Sequence, residues 1–168
     1  AEVTLVAGPV SLLTPRGVKR INVKSALDME KAVMAQVSGA TVLVAAAAVA
    51  DWRPATASDQ KIKKDGSGQT PTLQFTENPD ILAGVAKLPR AKSGELYCVG
   101  FAAESHDLLS NSTAKRLRKG VPLLVGNIGP ATFGQDDNAL LLVDADGAKE
   151  LPHASKRNLA IQLVAEIA

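Results

Sequence analysis

The sequence has 168 residues, 19 basic and 17 acidic, for a formal charge of +2, and that near balance argues against a general nucleic-acid binder. Apolar residues make up 46% and charged residues 21%, as in ordinary globular proteins, and the length suits one α/β domain rather than two. The single cysteine, Cys98, excludes a disulfide framework and any cysteine-based metal site.

The longest apolar run, 42–50, falls well short of the roughly 18 residues that a membrane span needs. The chain does not open on a basic segment followed by an apolar one, so no signal peptide is expected, and a reducing, cytoplasmic setting fits. The aromatics are Trp52, Phe75, Tyr97, Phe101 and Phe133, which leaves the core to Ala, Val, Leu and Ile.

Val3 to Ala7 reads as a buried strand stopped by Gly8-Pro9, and Val18 to Val23 as a second, alternating strand. Ser25 is an N-cap, with Asp28 completing a capping-box pattern. Ala26, Met29, Val33, Met34 and Val37 follow at helical spacing, and Gly39 closes that helix. Thr41 to Ala45 reads as a buried strand. Asn78 caps a helix with Pro79 in its first turn and Ile81, Leu82, Val85 and Leu88 on one side.

Tyr97 to Phe101 is the next strand, followed by a helix ending near Lys119-Gly120. Leu123 to Asn127 and Ala139 to Val143 are strands, Asp146-Gly147 marks a turn, and Ser155 caps a last helix. Alternating strands and helices, with several continuously apolar strands, predict a three-layer, Rossmann-like, largely parallel sheet covered on both faces. Ligands of such sheets bind at the carboxyl ends of the strands. The segments 8–17, 50–69 and 129–137 are long and irregular, as functional or mobile loops often are.

Five segments offer chemistry. Residues 45–54 run from a strand into small side chains and then Asp51-Trp52-Arg53-Pro54. Small residues admit a ligand's close approach, or equally pack an Ala-rich helical turn, with Asp51 and Arg53 pairing at the surface. Residues 100–107 (GFAAESHD) form a strand-to-helix turn, whose backbone N–H groups suit an anion. An ordinary turn with Ser105 or Asp107 as cap explains them as well, with His106 solvated. Lys115, Arg116, Arg118 and Lys119 suit a polyphosphate, but cations are also favoured at a helix C-terminus by the macrodipole.

Residues 127–138 place Phe133 in a polar loop after a strand, where it stacks on a base or simply anchors the loop. Lys156 stands in the first turn of the last helix, where the dipole disfavours a cation; that placement suits an anionic partner, though an exposed lysine also tolerates it. The sequence has no Gly-x-Gly-x-x-Gly, no Walker loop and no Gly-x-Ser-x-Gly elbow, and His106 and His153 lack metal-site spacing. Catalysis by a protein nucleophile is not expected.

Taken in order, these segments resemble the synthetase domain of phosphopantothenate–cysteine ligase, from about Val3 to the C-terminus. The most specific pieces are AAAVADWRP at 46–54, KIKK at 61–64 with TENPDIL at 76–82, and GFAAE at 100–104; Lys115 to Gly120, Asn127, Phe133 and Asp137-Asn138 add to them. The resemblance implies a ligase of coenzyme A biosynthesis that joins 4′-phosphopantothenate to L-cysteine. CTP would activate the carboxylate as an acyl-cytidylate, with Mg2+ accompanying the triphosphate, and cysteine would displace CMP. Positioning and charge stabilisation would then carry the catalysis.

By the same resemblance, Lys115 would be the catalytic cation, in a mobile segment over the triphosphate, with Lys119 as its substitute. Phe101, Ala102, Ala103 and Asp107 would line the shared nucleotide and pantothenate pocket. Asn127, Pro130, Ala131, Thr132, Phe133 and Lys156 would contact the nucleotide; the residues that hold the metal stay unassigned. A flap in the 50–70 region would reach a neighbouring subunit, giving a homodimer. A flavin-dependent decarboxylase domain is often fused upstream in bacteria.

Residues 1–168 are thus expected to form a single CTP-dependent synthetase domain. By the resemblance it is expected to lack the N-terminal strand and Gly/Ser-rich turn of the family, whose asparagine serves the second step, so weak or no complete ligation by this chain alone is expected. A non-catalytic α/β nucleotide-binding domain and a Rossmann-like oxidoreductase are the competing expectations. The missing glycine fingerprint counts against the second.

Overall fold

The computed structural model describes residues 1–168 apart from 57–59, 62, 64, 65, 67, 69, 71 and 133 and the side chains of Pro130 and Ala131. The chain divides into two compact units, residues 1–33 with 48–80, and residues 34–47 with 81–168.

In the first unit, β1 (Val3–Ala7) and β2 (Val18–Asn22) pair in parallel, in register from Val3 with Val18 to Ala7 with Asn22. The connection between them ends in a tight turn closed by Val18 N–H on Pro15 O, with Gly17 at φ 79° in its third position. That conformation belongs to a type II turn and is open to glycine. Arg20 holds the rest of the connection, donating from Nη1 to Leu12 O (2.6 Å) and from Nε to Asn22 Oδ1 (2.7 Å). The expectation that β1 is buried is corrected: Val3 is 45% and Leu5 37% exposed, and only Ala7 is buried. A two-stranded pair leaves alternate side chains on open faces.

Helix α1 (Ala26–Val37) begins as predicted. Asp28 N–H donates to Ser25 Oγ (3.1 Å) and Ser25 N–H donates to Asp28 Oδ2 (3.0 Å), the reciprocal pair of a capping box. Farther along, β4 (Trp52–Pro54) and β5 (Phe75–Glu77) form an antiparallel arm, Trp52 facing Glu77 and Pro54 facing Phe75. The arm stands where the flap is expected, and much of the span between its strands lies outside the described residues.

Two local expectations about this arm are corrected. Residues 46–50 are irregular rather than a helical turn. Arg53 does not turn to Asp51: its Nη1 donates to Glu77 O and to Asn78 Oδ1 (3.1 Å). Asn78 in turn donates from Nδ2 to Ala50 O (2.8 Å) and from its N–H to Asp51 O (2.8 Å). Its side chain therefore clasps the base of the arm instead of capping a helix, and α2 (Ile81–Ala86) starts three residues later.

The second unit holds five strands in the order β3 (Val42–Ala45), β6 (Tyr97–Glu104), β7 (Leu123–Ile128), β8 (Asp137–Val143) and β9 (Ala148–Ser155). The first three run parallel; β8 and β9 continue antiparallel. Besides α2, its helices are α3 (Pro89–Lys92), α4 (Leu108–Lys119), α5 (Gly129–Thr132) and α6 (Lys156–Ile167). β3 was expected to be buried, but it is an edge strand with Val42 41% and Val44 46% exposed.

Helices cover both faces of this sheet, as predicted. On one face a Cβ at Gly100 would lie 2.6 Å from Leu82 of α2, and one at Gly126 would overlap Ser112 Oγ of α4, so glycines let these helices sit close. On the other face Val99, Leu123, Val125, Leu140, Leu142 and Leu151 pack against Leu159 and Leu163 of α6. Ser155 Oγ caps α6 by accepting from Asn158 N–H (3.3 Å). The sequence reading did not include β9. Its only buried residue is Leu151 and it contains Pro152, which an edge strand tolerates. A turn in which Asp144 Oδ1 accepts from the N–H groups of Asp146 (2.9 Å) and Gly147 (3.0 Å) folds it back on β8.

Candidate functional site

The parallel register aligns the carboxyl ends of β6 and β7, with Ala103 beside Asn127 and Glu104 beside Ile128. Strand alternation sorts the predicted residues of β6 onto different faces. Phe101 packs against the apolar cluster under α6, and Ala102 is 3% exposed, so both side chains belong to the core rather than to an open pocket. Ala103 is exposed at the strand tip. Its methyl group leaves room above the backbone beside Asn127.

Glu104 ends β6, and its Oε1 lies 2.7 Å from Lys115 Nζ. The two side chains are 14% and 29% exposed, so this pair is largely shielded from water. Lys115 thus stands within helix α4 rather than in a loop segment, and a carboxylate of the same crevice already balances its charge. Lys119 ends the helix, about 6 Å farther along its axis from the strand tips at 1.5 Å per residue, and is not brought to the same place.

The turn between β6 and α4 carries Ser105, His106 and Asp107. Ser105 Oγ is 2.8 Å from His106 Nδ1, and Asn111 Nδ2 donates to the carbonyl of His106 (2.8 Å). Asp107 adopts φ 45°, the one non-glycine residue with positive φ among those described. It occupies the N-cap position of α4 without a side-chain hydrogen bond, so neither Ser105 nor Asp107 caps the helix through its side chain. Its carboxylate is exposed.

A second network joins the end of β7 to the start of α6. Asn127 Nδ2 donates to Thr132 Oγ1 (2.9 Å), and Thr132 Oγ1 lies 3.1 Å from Gly129 O within the single turn of α5. Lys156 Nζ donates to Thr132 O (3.2 Å) and to Gln135 O, while its own N–H donates to Asp136 O (2.9 Å). Asn127, Thr132 and Lys156 are therefore brought together. The partners that account for a cation in this first turn are carbonyl oxygens, however, not an anion. Phe133 and the side chains of Pro130 and Ala131, also expected here, lie outside the described residues.

Glu104 was missed as a member of the site. Its signal was available: an acidic residue at the last strand position, followed by a helix with a cation on its inner side. Among the described residues no cluster of three or more His, Cys, Asp or Glu side chains is placed to hold a metal ion. No described helix is long and apolar enough to cross a membrane.

The whole chain, residues 1–168, matches the family described as DNA/pantothenate metabolism flavoprotein C-terminal domain. It is 46% identical over 171 residues to the coenzyme A biosynthesis bifunctional protein CoaBC of Escherichia coli K12, covering 99% of this chain and 41% of that protein. It is 44% identical over 163 residues to the CoaBC protein of Vibrio cholerae, covering 95% and 40%. The chain thus spans about two-fifths of the length of these relatives.

Among solved structures, the C-terminal domain of a CoaBC protein superposes with a TM-score of 0.77 at 28% identity, over 99% of this chain and 72% of that one. A Cab2 mutant in complex with phosphopantothenate-cysteine superposes at 0.68 and 16% identity, over 89% and 52%, a likeness of fold. With its full length matched, this chain belongs to the DNA/pantothenate metabolism flavoprotein C-terminal domain family.

Proposed function

We propose that this chain is the synthetase portion of a coenzyme A biosynthesis ligase that joins 4′-phosphopantothenate to L-cysteine at the expense of CTP. One observation carries the reading beyond the likeness to CoaBC proteins: at the carboxyl ends of the parallel strands β6 and β7, exposed Ala103 stands beside the polar Asn127–Thr132 contact, with the Glu104–Lys115 pair on the opposite face of β6. Parallel α/β sheets bind ligands at such strand ends.

The chemistry balances without a protein nucleophile. A carboxylate oxygen of phosphopantothenate attacks the α-phosphorus of CTP, the bond to the β-phosphate breaks, and pyrophosphate leaves. The cysteine amine then attacks the acyl carbon, CMP departs, and the amine proton passes to solvent or a nearby base. The protein's task is to hold the reactants and balance developing charge. In this reading Lys115 meets the triphosphate by exchanging Glu104 for phosphate oxygens, and Asn127, residues 130–133 and Lys156 shape the nucleotide's seat. Mg2+, if it accompanies CTP, would balance the charge of the triphosphate, and no described residue is assigned to hold it.

Residues 1–168 then make up one synthetase domain, cytoplasmic and working as a homodimer in which the 52–77 arm meets a second copy. Exposed Trp52 (57%), Leu73 (56%) and Phe75 (59%) support the last point. Calorimetry with CTP, ATP and NAD tests the assignment. CTP-selective binding is expected; binding of NAD in place of CTP overturns it.

A further inference from the structure

The amino ends of β6 and β7 lie opposite the proposed ligase site and bound a broad, open surface pocket of about 610 Å3 of their own. Its walls are apolar at Leu96, Leu117, Val121 and Pro122, and its charged lining residues are Lys92 and Arg116. Among the described residues no acidic side chain lines it. The carboxylates near this end are otherwise engaged: Glu95 with Arg90 Nε (3.4 Å) and Ser93 Oγ (2.9 Å), and Asp144 with the N–H groups of its own turn.

Arg116 is under-used as a donor. Its Nε is buried without an acceptor, and its Nη1 reaches Val121 O at 3.4 Å, near the limit for a hydrogen bond. A buried charged donor left unmatched is costly, and an anion in the pocket would supply the acceptor after a small rotation of the side chain. The helix dipole opposes an anion at the end of α4. That end is already neutralised: Gly120, at φ 68°, donates its N–H to Arg116 O (2.9 Å), and Arg116, Arg118 and Lys119 fill the last turn.

We propose that this pocket is a second ligand site for a small organic anion, whose phosphate-monoester or carboxylate head is held by Arg116 and Lys92 and whose apolar body rests on Leu117, Val121 and Pro122. Such a site is separate from the strand-tip crevice and stands whether or not the ligase assignment does.

Tyr97 lines the pocket and is the sequence's one tyrosine, so 3-fluorotyrosine labelling places a single 19F reporter there. Phenyl phosphate, benzoate and phenol are titrated against the labelled chain. A saturable shift with phenyl phosphate or benzoate and none with phenol is expected, and the stronger of the two anions identifies the head group. Arg116→Gln and, as a surface change that leaves the fold alone, Lys92→Gln should each weaken the stronger anion, the former by about tenfold or more. The proposal falls if neither anion gives a saturable shift up to ~10 mM, the weak end of specific small-ligand affinity. It falls equally if phenol shifts the reporter as they do, or if both variants bind like the parent chain.

Discussion

Lys115 Nζ and Glu104 Oε1 meet at 2.7 Å, tying the inner side of α4 to the tip of β6. The pair has two consequences that pull in opposite directions. Removing the lysine leaves a carboxylate 14% exposed and without its cation, which should cost about 1–3 kcal/mol of stability. Removing the carboxylate releases the cation.

If Lys115 turns to the triphosphate on binding, Glu104→Gln should tighten CTP several-fold, because no ion pair has to be broken first. Lys115→Gln should then weaken CTP far more than CMP. Calorimetry with both nucleotides on both variants decides the matter, and unchanged CTP affinity in each would leave the pair a structural tie.

Gly126 and Ser112 set how closely α4 approaches the sheet. A Cβ at position 126 would overlap Ser112 Oγ and lie 3.0 Å from Leu108 Cδ1, both on the helix. Gly126→Ala should therefore destabilise the chain by about 1–3 kcal/mol, as overpacking does. Ser112 Oγ is itself buried without a hydrogen-bond partner, so Ser112→Ala should be neutral or stabilising. Combining the two should recover much of the loss from Gly126→Ala. Urea unfolding of the two single variants and the double variant measures each step, and simple additivity would refute a direct clash.

The Asp28 carboxyl is held below the ordinary aspartate value of 3.8, first by the Ser25 hydroxyl and then by the backbone N–H groups of Ser25 and Lys24. A lowered folded value means that its stabilising effect is complete above the unfolded value and is lost as pH falls through the folded one. The stability gap between the parent chain and Asp28→Ala should thus be constant from about pH 7 to 5 and narrow below about pH 4. Urea midpoints across that range test it, and a gap that persists unchanged in acid would assign the effect to helix propensity.

Much of this layout is legible in the sequence because its signals are local. The Ser25–Asp28 box, Gly120 after a run of cations and Ser155 before the last helix are all read from neighbours in the chain, and each forms as read. Asn78 before Pro79 carries an equally good local signal and yet turns to the base of the arm. Its partners, Ala50 and Arg53, come from more than 20 residues away, and no short-range rule contains them. Burial on β1 and β3 fails for a related reason: an apolar run does not say whether the strand will have a neighbour on each side. At the site, Asn127, Thr132 and Lys156 were named through the family resemblance, and the face on which Phe101 points depends on strand alternation.

Lys156 offers the sharpest separation between touching a ligand and shaping its seat. Its ammonium donates to Thr132 O and Gln135 O, and its backbone N–H to Asp136 O, so it ties Thr132, Gln135 and Asp136 to the start of α6. A residue acting through that loop should matter alike for every nucleotide that uses the seat, whatever its phosphate count. Lys156→Gln, which shortens the reach and removes the charge, is therefore expected to weaken CTP and CMP by the same factor. It should also speed amide hydrogen exchange in residues 132–136 of the free protein, where no nucleotide is present to mask the change. A loss confined to CTP, with exchange unaltered, would instead place the ammonium on the triphosphate and make the carbonyl contacts a resting position that the ligand displaces.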